Sequence, residues 1–327
     1  MHSEKTGKFL YGLLAGFLLS CVLWTLFVYG QTGNPTMSSQ WVYDAYEKKR
    51  AIAANQNSDS GRILLIGGSG ILFGLNSRMI ENYFDKPVIN YGVNAGLLLP
   101  YTLHAAKSVL RKGDLAVLCL EYPMFTYDGE LNGQIISFIL SREHDFLREL
   151  TIPEIIKVYS LVTFSRVMEG YRQTGKESAV SGLYGAHNID DNGDQLNTAR
   201  EQRTEDFFHE VLSHKPELYG VNFSGSTLSW EYIKDFLRWA DGTGVKAIFT
   251  PVPFLKKEEY YNTDTEKYFY EHLPEYARSR GLDYIGSPYD FMYNEDAFFN
   301  TNYHLTSEYR DINTERFIRL IEEHVLY

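Results

Sequence analysis

Ser69 stands between Gly68 and Gly70, directly after the apolar run Ile63-Leu64-Leu65-Ile66. A serine carried at the end of a parallel strand presents its hydroxyl over the sheet edge, where a base can activate it and turn N–H groups can hold a developing oxyanion. The stretch Gly67-Gly68-Ser69-Gly70-Ile71-Leu72-Phe73-Gly74 lacks the terminal Lys-Ser/Thr of a phosphate-binding loop and the full GxGxxG of a dinucleotide site. A second turn of small residues, Asn90-Tyr91-Gly92-Val93-Asn94-Ala95-Gly96, follows another apolar run. There the Gly92 N–H could join that of Ser69 or Gly70 in holding negative charge, and Asn94 could donate an amide hydrogen bond at the same rim. An ordinary strand-to-helix turn stabilised by Asn and Gly is the competing reading. Far along the chain, His304 lies in Phe298-Phe299-Asn300-Thr301-Asn302-Tyr303-His304-Leu305-Thr306, where an imidazole at a loop-helix junction could serve as the base for Ser69.

These residues need a scaffold that brings distant turns together. Apolar runs at 62–66, 88–91, 114–120 and 244–250, with a shorter one at Tyr284-Ile285, predict strands. Helical periodicity predicts helices over Asn76 to Phe84, from Pro100 toward Gly113, over Ser226 to Asp241, Thr265 to Arg280 and Thr306 to Val325. Strands alternating with helices predict an α/β fold with a mostly parallel sheet covered on both faces. The interval from about 123 to 224 breaks that rhythm and predicts a largely helical insertion at the sheet's carboxyl edge, with a separate second domain as the alternative. Tyr122, Phe125 and Tyr127, just beyond a strand, are candidates for substrate contact, with core packing an equal alternative. Asp190-Asp191-Asn192-Gly193-Asp194 has oxygen ligands suited to calcium but lacks the EF-hand spacing and its terminal Glu, so a solvated turn is expected and no metal site is assigned.

Taken together, the Ser69, Gly92 and His304 blocks resemble the SGNH hydrolase superfamily, in particular its membrane-anchored extracytoplasmic branch of DltD-like and alginate-acetylation-like proteins. The resemblance covers about residues 61–125 and 226–325. It implies a flavodoxin-like three-layer αβα sandwich, with Ser69 as nucleophile, Gly92 as the second-block oxyanion residue and His304 as the catalytic histidine. It also implies serine-dependent ester hydrolysis or O-acyl transfer on a cell-envelope or exported polysaccharide, with acetyl as the acyl group of related systems and no cofactor. The partners implied are an acyl donor, the glycan or envelope polymer, and a membrane acyltransferase or polysaccharide-assembly complex. Two positions depart from the family pattern. Glu121 stands where the third block commonly supplies an Asn, which leaves it to organise the pocket. Asn300 stands where the acidic triad member is expected, so it can orient His304 without stabilising imidazolium by charge. A catalytically weakened glycan-binding or envelope-assembly protein is the alternative.

The chain has 327 residues, with 31 Lys+Arg against 42 Asp+Glu. Its net charge of -11 argues against a nucleic-acid surface, because phosphate binding draws on positive charge. Only Cys21 and Cys119 are present, which excludes a disulfide framework within the chain's core and a thiolate zinc cluster. Residues 9–30 carry no charge and suit one transmembrane helix. Lys5 and Lys8 precede that segment and no Lys or Arg follows until Lys48, which predicts residues 1–8 in the cytoplasm and the body outside. A cleaved signal peptide is the competing reading, and a lipoprotein signal at Leu18-Leu19-Ser20-Cys21 a weaker one, because apolar chain continues past Cys21. Residues 31–60 are expected to form a stalk with a short helix.

Overall fold

The structure, a computed structural model, describes residues 2–58, 60–174, 180–223 and 228–325. Along the chain, α1 (His2–Tyr29) and α2 (Met37–Asn55) precede β1 (Ile63–Ile66), α3 (Ser69–Gly74), α4 (Ser77–Phe84), β2 (Val88–Asn90), α5 (Leu98–Lys107) and β3 (Leu115–Leu118). Helices α6 (Gly133–Ser141), α7 (Ile152–Leu161), α8 (Phe164–Gln173) and α9 (Glu205–Ser213) come next. They are followed by α10 (Leu228–Thr243), β4 (Lys246–Phe249), β5 (Phe254–Leu255), α11 (Glu259–Asn262), α12 (Asp264–Ser279), β6 (Met292–Tyr293) and α13 (Ser307–Val325). The expected start of α10 at Ser226, the expected end of the insertion at Ser224, Asp59 and residues 175–179 of the polar section lie outside the described residues.

The flavodoxin-like three-layer sandwich is not what forms. The fold is mostly helical, at 61%, and its strands make only two small parallel sheets of four and two strands. The apolar runs are too short for more. The strand expected at Tyr284-Ile285 is cut to a single bridge, Phe249 to Tyr284, because Gly286 takes a positive φ of 78° and Pro288 opens a 3-10 turn. Much of the chain between 123 and 224 folds as helix instead of adding strands.

The chain divides into two compact units, residues 1–40 with 131–179, and residues 41–130 with 180–327. In the first, the segment Lys5–Tyr29 of α1 is long and apolar enough to cross a membrane, with a mean hydropathy of 2.0. Its end is tied to α6 and α8 by the buried Arg166. That guanidinium donates to Gln31 Oε1 (2.6 Å), Ser137 Oγ (2.9 Å) and Ser141 Oγ (2.6 Å). Thr36 and Ser39 join the same hydroxyl network. Residues 31–40 are therefore no stalk, since Gln31, Thr36 and Ser39 are buried.

In the second unit the larger sheet runs in the order β2-β1-β3-β4, all parallel. Its strands are buried almost throughout, which is why they read as continuous Ile, Leu and Val runs. Ile63 pairs with both Val88 and Leu115, so the three strands end level with one another. The turns at 67–69, 91–94 and 119–121 consequently leave from one edge. Helix α13 packs on α3 and α4, and α10 packs on α5 and β4. Ile312, expected on the packing face of α13, is exposed, while its neighbours Asn313 and Thr314 are buried and bond to Gly74 O and Asn76 N respectively.

Candidate active site

Ser69 is the first residue of α3, which begins as soon as β1 has passed through Gly67 and Gly68. Gly68 is required there by close approach. A Cβ on it would lie 2.5 Å from Ala95 N and 2.6 Å from Glu121 Oε1. A Cβ on Gly92 would likewise lie 2.5 Å from Gly68 O, so the first and second turns touch backbone to backbone.

Glu121 sits beneath the first turn, buried, with Oε2 accepting from Gly68 N (2.9 Å) and Oε1 from Gly70 N (2.8 Å). Burial raises its pKa, while those two N–H donors work in the opposite direction. The carboxylate thus holds the strand-helix turn that carries Ser69, and it occupies the Gly70 N–H that sequence reasoning assigned to an oxyanion. Gly92 N–H is occupied as well, donating to Asn90 Oδ1 (3.1 Å). Asn94 accepts from Gly96 N through Oδ1 (2.7 Å), and its Nδ2 has no partner among the described residues. The Ser69 N–H and hydroxyl are unengaged among the described residues too. The N–H groups of Gly70 and Gly92 are already used in fixing the turns, which leaves the Ser69 N–H and, on the neighbouring turn whose Ala95 backbone abuts Gly68, the Asn94 amide unengaged among the described residues.

His304 is delivered by a closed loop. Phe298 bridges Leu305, and Phe299 N donates to His304 O (2.7 Å). Phe298 and Leu305 are both buried with Leu255 and Val211, so the residues flanking the histidine anchor it. Its Nδ1 bonds Asn300 Oδ1 at 2.8 Å. Asn300 in turn donates Nδ2 to Tyr184 Oη at 2.8 Å. With the amide oriented by Tyr184, Nδ1 of His304 carries the proton and Nε2 presents its lone pair. The imidazole stacks on Phe73, centroids 4.0 Å apart and planes within 4°. Phe73 is one turn beyond Ser69 on α3, so the stack brings His304 over the helix that carries the serine. No direct hydrogen bond joins the two among the described residues. His304 is 5% exposed, and burial lowers its pKa to about 3, which keeps the ring neutral at neutral pH, with Nε2 unprotonated but weakly basic.

The structure also corrects three candidate contacts. Tyr122, Phe125 and Tyr127 do not line a rim. Tyr122 packs edge-on against Phe254, Phe269 and Tyr270, Phe125 against Trp230 and Tyr284, and Tyr127 against Tyr232. The 3-10 turn Tyr122–Thr126, with Pro123 in its first turn, folds these rings back into the core. The aspartate-rich turn is only partly solvated: Asp191 is exposed and Asp190 half-buried, while Asn192 and Asp194 are buried. Asp190 caps Asn192 N and Asp194 N, and Asp194 accepts from Ser77 and Asn90. Asp296, the acidic residue nearest before His304 in the sequence and a lower-ranked alternative to Asn300 as its partner, is exposed beside Arg200 (3.6 Å), and no hydrogen bond or ion pair joins it to His304 among the described residues.

Three residues of this site escape sequence reasoning. Phe73 and Tyr184 build the histidine's seat. Lys49 of α2 is buried and donates Nζ to Asn90 O (2.9 Å), Gly193 O (2.7 Å) and Gly92 O. Burial lowers its pKa, yet three carbonyl acceptors match the three N–H donors of the ammonium form. The unusual signal was the Lys itself, on the apolar face of a helix with Val42, Ala45, Tyr46 and Ala53.

No family model, no curated protein and no solved structure matches this chain. Its chemistry is therefore read from the site's own residues.

Proposed function

We propose that the protein is an extracytoplasmic serine O-acyltransferase or acyl esterase. The observation that carries this reading is the His304 Nδ1 to Asn300 Oδ1 bond of 2.8 Å, on a ring stacked over the helix that opens with Ser69. Ser69 Oγ attacks the acyl carbonyl carbon while His304 Nε2 takes its proton; the adduct collapses and His304 returns the proton to the departing alcohol. The acyl-Ser69 then passes to a hydroxyl of the acceptor, or to water. The Ser69 N–H and the Asn94 amide are the donors free to meet the oxyanion. The block resemblance to SGNH hydrolases supports the same roles. Lys5 and Lys8 in the first turns of α1, ahead of its uncharged stretch, support an extracytoplasmic body. There the acceptor is a cell-envelope or exported polysaccharide, acetyl is the acyl group, and a membrane acyltransferase or polysaccharide-assembly complex hands over the donor.

A binding-only reading is favoured by one specific observation: Asn300 is neutral and the Gly70 and Gly92 N–H groups are committed. The two readings separate on one experiment. The full chain in detergent is treated with a serine-directed fluorophosphonate and followed by intact-mass and peptide analysis for wild type, Ser69→Ala and His304→Ala. Labelling at Ser69 that is lost in both variants supports the enzyme. A folded wild-type chain that takes no label is the result that overturns it in favour of glycan binding.

A further inference from the structure

The first compact unit carries a surface that the acyl chemistry does not use. Along α7 and the turn into α8, Ile152 is 74% exposed, Ile156 62% and Phe164 62%, with Leu161 between them also exposed. Ile152 and Ile156 are one turn apart and share a face of α7. On a domain surrounded by water, this many large exposed aliphatic and aromatic side chains within thirteen residues is disfavoured.

The position of this patch identifies its occupant. Trp24 Nε1 of α1 donates to Tyr159 O of α7 (2.8 Å). Phe27 of α1 stacks on Phe164 (centroids 6.0 Å apart) and on Tyr171 (5.1 Å) of α8, and Tyr171 Oη donates to Phe27 O (2.8 Å). Trp24 and Phe27 belong to the last two turns of the apolar stretch. At a rise of about 1.5 Å per residue, a stretch that spans a hydrocarbon layer of about 30 Å leaves these two within a few ångströms of its boundary. Anything packed directly against them shares their depth. The buried Arg166 clamp to Gln31, Ser137 and Ser141 fixes α8 to the end of α1, so the exposed face of α7 is held at that depth.

We infer that α7 and the start of α8 form a second membrane contact, an interfacial wedge whose Ile152, Ile156 and Phe164 side chains enter the leaflet that α1 leaves. The ligand is the acyl-chain and headgroup boundary of that bilayer. Lys157 on the same helix and Arg172 of α8 offer long cationic side chains to lipid headgroups, while Arg148 is paired with Asp145 (3.0 Å). The contact anchors the first unit at two places instead of one. A single apolar helix leaves its domain free to swivel, whereas a helix with a wedge beside it does not.

The test uses the full chain reconstituted in vesicles of phosphatidylethanolamine and phosphatidylglycerol. On a Cys21→Ser background, Ile152→Cys, Ile156→Cys and Phe164→Cys are each labelled with a nitroxide, and Asp235→Cys, on the exposed face of α10, serves as the aqueous reference. Relaxation by dissolved oxygen, which concentrates in lipid, is compared with relaxation by a water-soluble nickel chelate. The wedge gives labels at 152, 156 and 164 whose oxygen-to-nickel accessibility ratio exceeds that of Asp235→Cys severalfold. A ratio equal to the aqueous reference overturns the inference. So does protection of these labels from both reagents, which is the signature of a covering protein. Because the result is read from labels on α7 and α8 alone, an inactive Ser69 leaves it unchanged.

Discussion

His304 is held by an amide where a carboxylate would make it a stronger base. Asn300 fixes the tautomer through its bond to Nδ1 but adds no charge to stabilise the imidazolium that forms when Ser69 loses its proton. Burial depresses the ring's pKa to about 3 from an ordinary 6.5. The folded chain therefore binds fewer protons than the unfolded chain between those values, and His304 withdraws stability as pH falls through that window. The rate of Ser69 labelling should hold from neutral pH down to about 4 and fail only near the His304 pKa. In Asn300→Asp a carboxylate beside Nδ1 raises the ring's pKa, so the acid limb of the labelling profile moves to higher pH. Reactivity at pH 7 should rise by about tenfold or more, toward the roughly 10⁴-fold that separates an aspartate from an asparagine at the triad position. A pH profile of fluorophosphonate labelling checks both; an unchanged limb in Asn300→Asp would mean that Asn300 does not orient the base.

At the scale of the elements, the first two turns and the helix beneath them act as one piece. A Cβ at Gly92 would strike Gly68 O, which is backbone and cannot move without displacing Ser69. Gly92→Ala should cost roughly 1–3 kcal/mol by overpacking and reduce Ser69 labelling further than that loss of folded protein explains. Lys49→Met keeps the length of the side chain but leaves the carbonyls of Asn90, Gly92 and Gly193 without their donor. A destabilisation of about 3 kcal/mol or more is expected in a denaturant titration, since each buried unsatisfied carbonyl costs about 1–3 kcal/mol. Much of this arrangement is legible from the sequence. Strands β1, β2 and β3 are continuous apolar runs, and Ser69, Gly92 and Glu121 follow them directly, so their shared edge follows from parallel pairing. What is not legible depends on contacts across long separations. Tyr184 and Asn300 meet across 116 residues, and no local pattern marks either as a partner. Tyr122, Phe125 and Tyr127 mislead for a different reason, since a 3-10 turn reverses the direction in which residues after a strand point. The short strands mislead again at the level of fold class, because an apolar run predicts a strand but not that its sheet stops at four.

For the whole molecule, the question is whether α1 is an export signal that is removed or a lasting part of the protein. The contacts within the first unit favour the second. Cleavage after Gly30 would strip Trp24 from Tyr159, and Phe27 from Phe164 and Tyr171, leaving two aromatic side chains of α8 without their packing and a backbone carbonyl of α7 without its donor. Loss of a packed aromatic cluster costs about 0.5–1.5 kcal/mol per ring pair beyond the area it buries. The remaining helices α6, α7 and α8 are short, at nine or ten residues each, and helices of that length depend on tertiary packing for stability. A chain beginning at Gln31 should therefore fold in its second unit and lose order in its first. Limited proteolysis of that truncated chain, read by mass spectrometry, is expected to cut between residues 131 and 174 at low protease while leaving residues 180–223 and 228–325 intact. The full chain in vesicles should resist cutting in both stretches. Equal resistance of α6–α8 with and without α1 would show that the apolar helix is dispensable to the fold, and would favour the competing reading of a cleaved signal segment.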